Sequence, residues 1–449
     1  MKTLRQFTTL LAGLSLLVPN LLSAKSPRAT EHEPVTLRLE LDRPVLPADT
    51  RETAIIKVAL DGRAAPVTKR APVNLALVID KSGSMGGDKI ARARDAAIEA
   101  VRRLDRDDRV TLVAFDNNVH TLYPAAPVGD GRAIEACINE ITANGGTNLH
   151  GGVAVAADQL RRRIKDNFIH RVILLSDGQA NVGPSSPDQL GRLGAQLVQD
   201  GISVSTIGLG LGFNEDLMTR LALRSDGNTY FAEHSEDLAG IFQRELGDVL
   251  SVVARRVVVE IEFPDGARPV RIVGREGRVE ERRVIIELNQ LYGGQEKFAL
   301  IEVELDPAKA EASREVATAK LRYEDAVDAR AGSQTAQVDA RFTAREKEVV
   351  AAANKQVQAD YATNLLAETK DKVVVLVDAG RRDEAAKEMR FVGSLLSSMA
   401  TTYDNDMVQE VAAPAAPAAE KIATGGLSNA ERKSFRAEAQ QTYSQQKAE

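Results

Sequence analysis

The sequence predicts a doubly wound α/β domain, placed in or next to an antiparallel β-sandwich and followed by a C-terminal helical hairpin. Three patterns predict this fold. Strand-like and helix-like segments alternate within residues 72–252, strands of period two lie on both sides of that block, and Ala, Glu, Lys and Leu are prominent in residues 343–404. Because the chain has 449 residues, it exceeds one ordinary core and several domains are expected.

Residues 1–24 have the features of a secretory signal peptide. Lys2 and Arg5 give a basic start, an apolar stretch runs from Leu10 to Leu22, and Ala24 supplies a small residue for cleavage. The uninterrupted apolar part is short for a membrane span, although an uncleaved anchor and a cytoplasmic protein remain alternatives. We therefore expect an extracytoplasmic protein, periplasmic or secreted, with association with the cell envelope left open.

Two strands are predicted in residues 34–71, the first with alternating Val35, Leu37, Leu39 and Leu41. Strands of the same period return in residues 255–342, at Val257–Phe263, Val270–Val273, Val284–Leu288, Phe298–Leu305 and Val316–Tyr323. Because two strands alone would be marginal in water, we expect both sets to form one sandwich with the α/β domain inserted between them. Two separate small β units remain the alternative.

Residues 72–252 alternate between short apolar runs and helical patterns, which is typical of βαβ units and a mainly parallel sheet. The predicted strands are Leu75–Ile79, Val110–Phe115, Arg171–Ser176, Ile202–Leu209 and Thr229–Ala232. The predicted helices are 88–104, 131–142, 149–165, 188–200, 214–224 and 236–253. A hairpin around Asp116-Asn117-Asn118 would add one antiparallel strand at the sheet edge.

The C-terminal part is predicted to be a helical hairpin over residues 343–405, hinged near Gly380. Within it, Val373–Val377 fits a strand as well as a helix. Residues 406–449 are expected to be a linker and a polar tail, since Pro414 and Pro417 interrupt an alanine-rich stretch. Ser428-x-x-Glu431 has the pattern of a capping box for a tail helix, but disorder fits the low apolar content equally well.

Composition excludes several classes of function. The formal net charge is -6, which argues against the basic face that a nucleic-acid-binding protein needs, so no nucleic-acid partner is expected. Aromatic residues make up 4% and Trp is absent, which disfavours an outer-membrane barrel with aromatic girdles. The single cysteine, Cys137, forms no internal disulfide and is expected to be a small buried hydrophobe.

Three segments carry oxygen side chains suited to a hard cation such as Mg²⁺. The strand Leu75–Ile79 runs into Asp80, Ser82 and Ser84, and ligands of α/β sheets bind at such carboxyl ends. Thr147 follows flexible glycines at a helix start, and Asp177 follows another apolar strand. Although Asp-x-Ser-x-Ser alone is weak, since these are common turn residues, all three loops would meet at one sheet edge.

Together these five residues resemble the metal-ion-dependent adhesion site of the von Willebrand factor type A domain, over about residues 72–252. The resemblance implies that Ser82 and Ser84 ligate Mg²⁺ (or Mn²⁺) directly, and that Thr147 does so when ligand is bound. Asp80 and Asp177 would hold the ion directly or through water. A protein partner would complete the shell with an Asp or Glu. The rest of the chain has a looser resemblance to secreted bacterial proteins and to the heavy chains of the inter-alpha-trypsin inhibitors.

The predicted function is therefore metal-dependent protein binding, for adhesion or assembly, and not catalysis. Hydroxyl ligands add no charge, so the cation stays electron-poor and can accept a carboxylate. Met85, Gly86 and Asn148 are expected to contact the partner, although Met85 could equally be a packing residue at a helix start. The alternative is a structural or assembly protein that uses its helical C-terminal region, with the metal only stabilising the fold.

Two other readings of the sequence are disfavoured. The glycine-rich run Gly208–Phe213 has Phe213 in place of the third glycine of a dinucleotide loop, so nucleotide binding is not expected. An enzyme would need a general base, and the carboxylates of Asp80 and Asp177 would already be committed to the ion. No enzymatic activity is therefore expected.

Overall fold

The computed structural model describes residues 33–64, 70–164 and 167–445, and the predicted signal peptide lies outside these ranges. Within them the strands β1 to β16 are Val35–Leu41, Val45–Pro47, Glu52–Gly62, Val73–Asp80, Arg109–Phe115, Val119–Pro127, Ile169–Ser176, Ile202–Leu209, Thr229–Ala232, Val252–Glu262, Ala267–Val273, Arg278–Glu280, Arg283–Tyr292, Glu296–Leu305, Ser313–Asp325 and Ala331–Thr343. The helices α1 to α12 of the same ranges are Asp88–Arg102, Arg132–Asn139, Leu149–Arg161, Pro187–Gln199, Glu215–Arg224, Leu238–Leu250, Glu346–Ala351, Lys355–Asp378, Arg382–Tyr403, Asp406–Ala412, Ala415–Gly425 and Asn429–Ser444.

The α/β domain contains a six-stranded sheet in the order β6-β5-β4-β7-β8-β9. All neighbours pair in parallel except β6, which is antiparallel to β5. Every residue of β4, β7 and β8 is buried, because helices cover both faces of the sheet. Leu75 and Leu77 of β4 pack into one core, whereas Ala76 and Val78 pack into the other. The predicted doubly wound sheet and its antiparallel edge strand are confirmed.

Two antiparallel sheets form the β-sandwich, in the orders β1-β3-β14-β11 and β12-β13-β10-β15-β16-β2, with β2 parallel to β16. Strand β3 precedes the α/β domain and pairs with β14, which follows it, with Ile56 opposite Ile301. The inward side chains of both sheets share one core. Strands from either side of the α/β domain thus lie in one sheet, as its insertion into a sandwich requires.

Strand β16 is a difference from the predicted elements, since no strand was expected there. Ala336, Val338, Ala340 and Phe342 are buried and alternate with more exposed, mainly polar residues. Two of these four inward residues are alanines, which gives the period-two pattern little hydrophobic contrast. The strand therefore becomes evident from its pairing with β15.

Helices α8 and α9 form the predicted hairpin. The turn between them contains Gly380 at φ 75°, a backbone conformation that favours glycine. Of the two alternatives for Val373–Val377, the helix is observed, inside α8. No helix of the described ranges is long and apolar enough to cross a membrane.

Helices α10 to α12 correct the expectation of a linker and polar tail. Pro414 and Pro417 lie at the N-cap and in the first turn of α11, where backbone N–H groups have no intrahelical acceptor to lose. Ala419 and Ile422 are buried in the core of the helical region. The capping box of Ser428 and Glu431 does form, at the start of α12.

Helix α12 docks onto the α/β domain through charged side chains. The buried Lys433 donates to the carbonyl oxygen of Phe213 at 2.7 Å, and its Nζ lies 4.3 Å from the centre of that ring. Arg432 pairs with Asp216 at 2.8 Å and with Asp378 of α8 at 2.7 Å. These partners are distant in sequence, so the composition of the tail gave no sign of them.

Arg171 joins the α/β domain to the sandwich through a buried polar network. Its guanidinium group donates to Gln290 and Tyr292 of β13, both at 2.6 Å. It also pairs with Glu245 of α6 at 3.2 Å, and both side chains are 0% exposed. Each charge therefore depends on the other for compensation, because neither reaches water.

We expect Arg171→Met to lower the free energy of unfolding by about 3–5 kcal/mol, because it leaves the Glu245 carboxylate buried without its cation. Urea unfolding followed by circular dichroism measures this. The control is Arg268→Met, which breaks an exposed pair with Glu304 and should cost far less. Equal losses in the two variants would contradict the role of the buried pair.

Candidate metal centre

Asp80 lies at the end of β4, between β5 and β7 in the middle of the sheet. Its side chain is 0% exposed. The backbone N–H of Ser82 donates to Oδ1 at 2.8 Å, and the hydroxyl of Ser176, at the end of β7, donates to Oδ2 at 2.5 Å. The carboxylate is therefore oriented both by its own loop and by the neighbouring strand.

Burial raises the pKa of Asp80 to about 6, against the opposing effect of the hydrogen bonds from Ser176 and Ser82. The nearby charge of Asp177 raises it further. Two carboxylates thus approach each other in a region from which water is largely excluded. Such an arrangement is unfavourable by itself and favours the binding of a cation.

The two serines of the first loop lie together, and Ser84 contacts Asp177. The Oγ atoms of Ser82 and Ser84 are 3.1 Å apart, and the Ser84 hydroxyl donates to Asp177 Oδ1 at 2.6 Å. Ser82 and Asp177 are buried, whereas Ser84 is exposed. This part of the predicted constellation is brought together, with its outer side open to solvent.

Thr147 is held against the first loop by backbone hydrogen bonds. Asn144 donates to the carbonyl oxygen of Lys81 at 2.6 Å, and Gly83 donates to that of Gly145 at 3.0 Å. The N–H of Thr147 itself donates to Asn181 Oδ1 at 2.8 Å. These contacts fix the threonine loop beside the Asp-x-Ser-x-Ser loop.

The hydroxyl of Thr147 faces the same space as Asp80. A Cβ atom built on Gly178 would lie 3.0 Å from Thr147 Oγ1 and 3.4 Å from Asp80 Oδ2. The threonine hydroxyl and the Asp80 carboxylate therefore border one small region that a side chain at residue 178, directly after Asp177, would crowd. All five predicted oxygen-bearing residues lie at this edge.

The three residues predicted to contact a partner differ in their exposure to solvent. Met85 is 0% exposed and packs in the core beneath α1, which corrects its assignment to the rim and selects the packing alternative. Gly86 is exposed. Asn148 is half-buried and caps α3, where its Oδ1 accepts from Gly151 N–H at 3.1 Å.

Two further residues border the site. The Nζ of Lys89 contacts Asp177 Oδ2. Leu211 is 52% exposed, between Gly210, whose built Cβ would lie 4.0 Å from Lys89 Nζ, and Gly212, whose Cβ would lie 3.2 Å from the carbonyl oxygen of Asp177. The glycine-rich run Gly208–Phe213, for which no nucleotide binding is expected, thus forms part of the rim of the candidate metal centre. A lysine in the first turn of a helix, where cations are disfavoured, was the available signal for Lys89.

The side chains fit a hard divalent cation. Two carboxylates and three hydroxyls offer oxygen ligands, which Mg²⁺ and Mn²⁺ prefer over nitrogen or sulfur. In the described part of the chain no group of three or more His, Cys, Asp and Glu side chains forms a metal cluster of another kind. The predicted ligand set thus contains three neutral hydroxyl groups and only two charged carboxylates.

The strand order and the loops at the carboxyl ends of the strands place this domain in a class of α/β domains. Domains of this class bind ligands at that edge of the sheet. Residues 74–244 match the family model of the von Willebrand factor type A domain. The chain contains a von Willebrand factor type A domain. Such domains commonly mediate metal-dependent protein interactions.

Relatives support this assignment. The uncharacterized protein sll0103 of Synechocystis sp. is 26% identical over 284 residues, which cover 60% of this chain and 66% of that protein. The inter-alpha-trypsin inhibitor heavy chain H3 of Rattus norvegicus is 26% identical over 209 residues, covering 44% of this chain and 23% of that one. The chain thus spans from about a quarter to just under two thirds of these relatives.

The fold extends beyond the matched domain. The structure of a von Willebrand factor type A protein from Catenulispora acidiphila aligns with 84% of this chain and 88% of that chain, with a TM-score of 0.65 and 16% sequence identity. At this identity the likeness concerns the fold alone.

The raised pKa of Asp80 predicts a pH-dependent stability of the metal-free protein. A carboxyl whose pKa is higher in the folded than in the unfolded state contributes stability below its unfolded pKa, and this is lost as the pH rises through about 6. Asp80→Asn removes the titration, so its unfolding free energy relative to wild type should rise by up to about 3 kcal/mol between pH 4 and pH 7.

Urea unfolding in EDTA at several pH values measures this difference. Asp265→Asn is the control for replacing an aspartate away from the site, since the side chain of Asp265 is 98% exposed. A flat difference for Asp80→Asn would contradict the effect of burial.

Gly178→Ala should weaken binding of a divalent cation by about tenfold or more, because the added methyl group enters the space between Thr147 and Asp80. Isothermal titration measures the affinity. Gly247→Ala is the matched control, since nothing lies within 4 Å of a Cβ there and binding should stay unchanged. Full affinity in Gly178→Ala would place the ion elsewhere.

Proposed function

We propose that this chain is an extracytoplasmic binding protein that grips an acidic residue of a protein partner through Mg²⁺ (or Mn²⁺). The single observation that supports this most is the convergence of three loops from one sheet edge. Asp80, Ser82 and Ser84, Thr147, and Asp177 come from separate parts of the chain and border the same space. A purely structural sheet edge has no need for this set of side chains.

The roles of the five residues follow from their chemistry. Ser82 and Ser84 would ligate the ion through their hydroxyls, and Thr147 would join them when a ligand is bound. Asp80 and Asp177 would hold the ion directly or through water and would balance its two positive charges. The bound ion would supply a Lewis-acidic position for the carboxylate of an Asp or Glu. We infer no catalytic role, because both carboxylates would be engaged by the ion.

The residues around the site would contact parts of the partner other than its carboxylate. Gly86 leaves the surface low on one side, and Leu211 offers the exposed apolar side chain that Met85 does not. Asn148 would contact the partner only through the part of its amide that the α3 cap leaves free. A partner segment with an apolar residue next to its acidic one would suit this surface.

The cellular role that we propose is adhesion or assembly in the periplasm or at the cell surface. The predicted signal peptide of residues 1–24 carries this part of the proposal. Nucleic acid and nucleotides are not among the proposed ligands.

Thr147→Val should separate metal binding from partner binding. It removes the hydroxyl but keeps the shape, so we expect a moderate loss of Mg²⁺ affinity and a loss of partner capture. Thr147→Ser, which restores the hydroxyl, should retain both. The measurements are isothermal titration with Mg²⁺ and capture of partners from the native envelope in Mg²⁺ against EDTA, with Asp80→Ala and Ser82→Ala as variants without a complete site.

Capture that is equal in Mg²⁺ and EDTA, or intact in Asp80→Ala, would contradict the proposal. It would favour the second candidate, a structural or assembly protein that uses its C-terminal helices. Phe391 and Leu395 support this candidate, since they lie one turn apart on α9 and are 67% and 41% exposed. Under it, Phe391→Ser with Leu395→Ser should abolish capture while Mg²⁺ binding persists.

A further inference from the structure

Lys89 places a positive charge on one of the two carboxylates of the candidate metal centre. Its Nζ contacts Asp177 Oδ2 and lies 3.4 Å from the carbonyl oxygen of Ser84. The side chain of Asp177 is 0% exposed, whereas that of Lys89 is 38% exposed. The ammonium group thus covers the outer oxygen of a carboxylate whose other oxygen already accepts from the Ser84 hydroxyl.

The position of Lys89 in its helix is unfavourable without this contact. It is the second residue of α1, and the N-terminal turn of a helix carries a partial positive charge that repels cations. The contact with Asp177 offsets that repulsion. The built Cβ of Gly210 lies 4.0 Å from Nζ, so the ammonium group sits between two loops of the rim.

Two other cations near this edge are paired with acidic residues outside the centre. Lys81 contacts Asp116, and Arg92 lies 3.6 Å from Asp88, so neither cation meets the carboxylates of the centre. Lys89 is therefore the lysine whose charge acts on Asp177.

We propose that Lys89 is a specificity-determining residue that tunes the centre toward anionic ligands. This inference rests on the proposed function. A divalent ion and two carboxylates have a net charge of zero, and Lys89 makes the loaded centre net positive. A positive centre attracts a partner carboxylate more strongly, and the same charge repels the metal ion. Lys89 therefore weakens metal binding and strengthens carboxylate binding.

The test compares Lys89→Met, Lys89→Arg and Arg92→Met in the full chain. Isothermal titration measures Mg²⁺ affinity, and broadening of the acetate resonance by Mn²⁺-loaded protein measures carboxylate binding. We expect Lys89→Met to bind Mg²⁺ about fivefold more tightly and acetate about fivefold more weakly, as one partly screened charge would produce. Lys89→Arg keeps the charge and should resemble wild type.

Arg92→Met is the matched control, since it removes one positive charge from the same helix without a contact to Asp177. It should change neither affinity appreciably. Thermal unfolding in EDTA checks that each variant is folded, and Lys89→Gln replaces Lys89→Met if Lys89→Met is not folded. In that case unchanged affinities in Lys89→Gln overturn the inference, and tighter Mg²⁺ binding with weaker acetate binding supports it.

The outcomes separate this inference from the proposed function. If wild type binds Mn²⁺ and acetate but Lys89→Met changes neither affinity, or changes both in the same direction, the inference is wrong and the proposed function stands. If wild type binds no metal, or binds metal without acetate, the proposed function is wrong and the inference falls with it.

Discussion

The rest of the candidate site depends on one buried carboxylate at the end of the central strand. Asp80 is held by the N–H of Ser82 and the hydroxyl of Ser176, and it is removed from water on a sheet whose faces are both covered. An acidic group in such a place is costly to the fold. A cation is the natural compensation, and the serines, Thr147 and Asp177 lie where they could share it.

A second constraint is the way the domains are joined. The sandwich contains strands from both sides of the α/β domain, so the latter is attached through two chain connections and not one. Arg171 adds buried hydrogen bonds between the domains, to Gln290 and Tyr292, and α12 adds charged contacts to the α/β domain. The domain that carries the loop edge is therefore held in place by the sandwich and by α12 through several contacts. Such support suits a binding surface that must keep its shape.

The charge distribution at this edge links the fold to the proposed function. Neutral hydroxyls and only two carboxylates leave a bound cation with unsatisfied charge, and Lys89 shifts the balance further toward anions. The same charge lowers the affinity of the site for the metal ion itself. A site built only to stabilise the fold would gain from the opposite choice, with more carboxylates and no lysine, as high-affinity structural cation sites use.

The sequence by itself determined the alternation of strands and helices, the antiparallel edge strand, and the identity of the five oxygen-bearing residues. These follow from local features: apolar runs, turn residues, and side chains placed where strands end. The tertiary structure alone decided that Met85 is buried, that Lys89 reaches Asp177, and that Leu211 lies at the rim. It alone also showed β16 and the helices α10 to α12, because alanine-rich or charged segments carry little hydrophobic contrast and are stabilised by partners far away in the sequence.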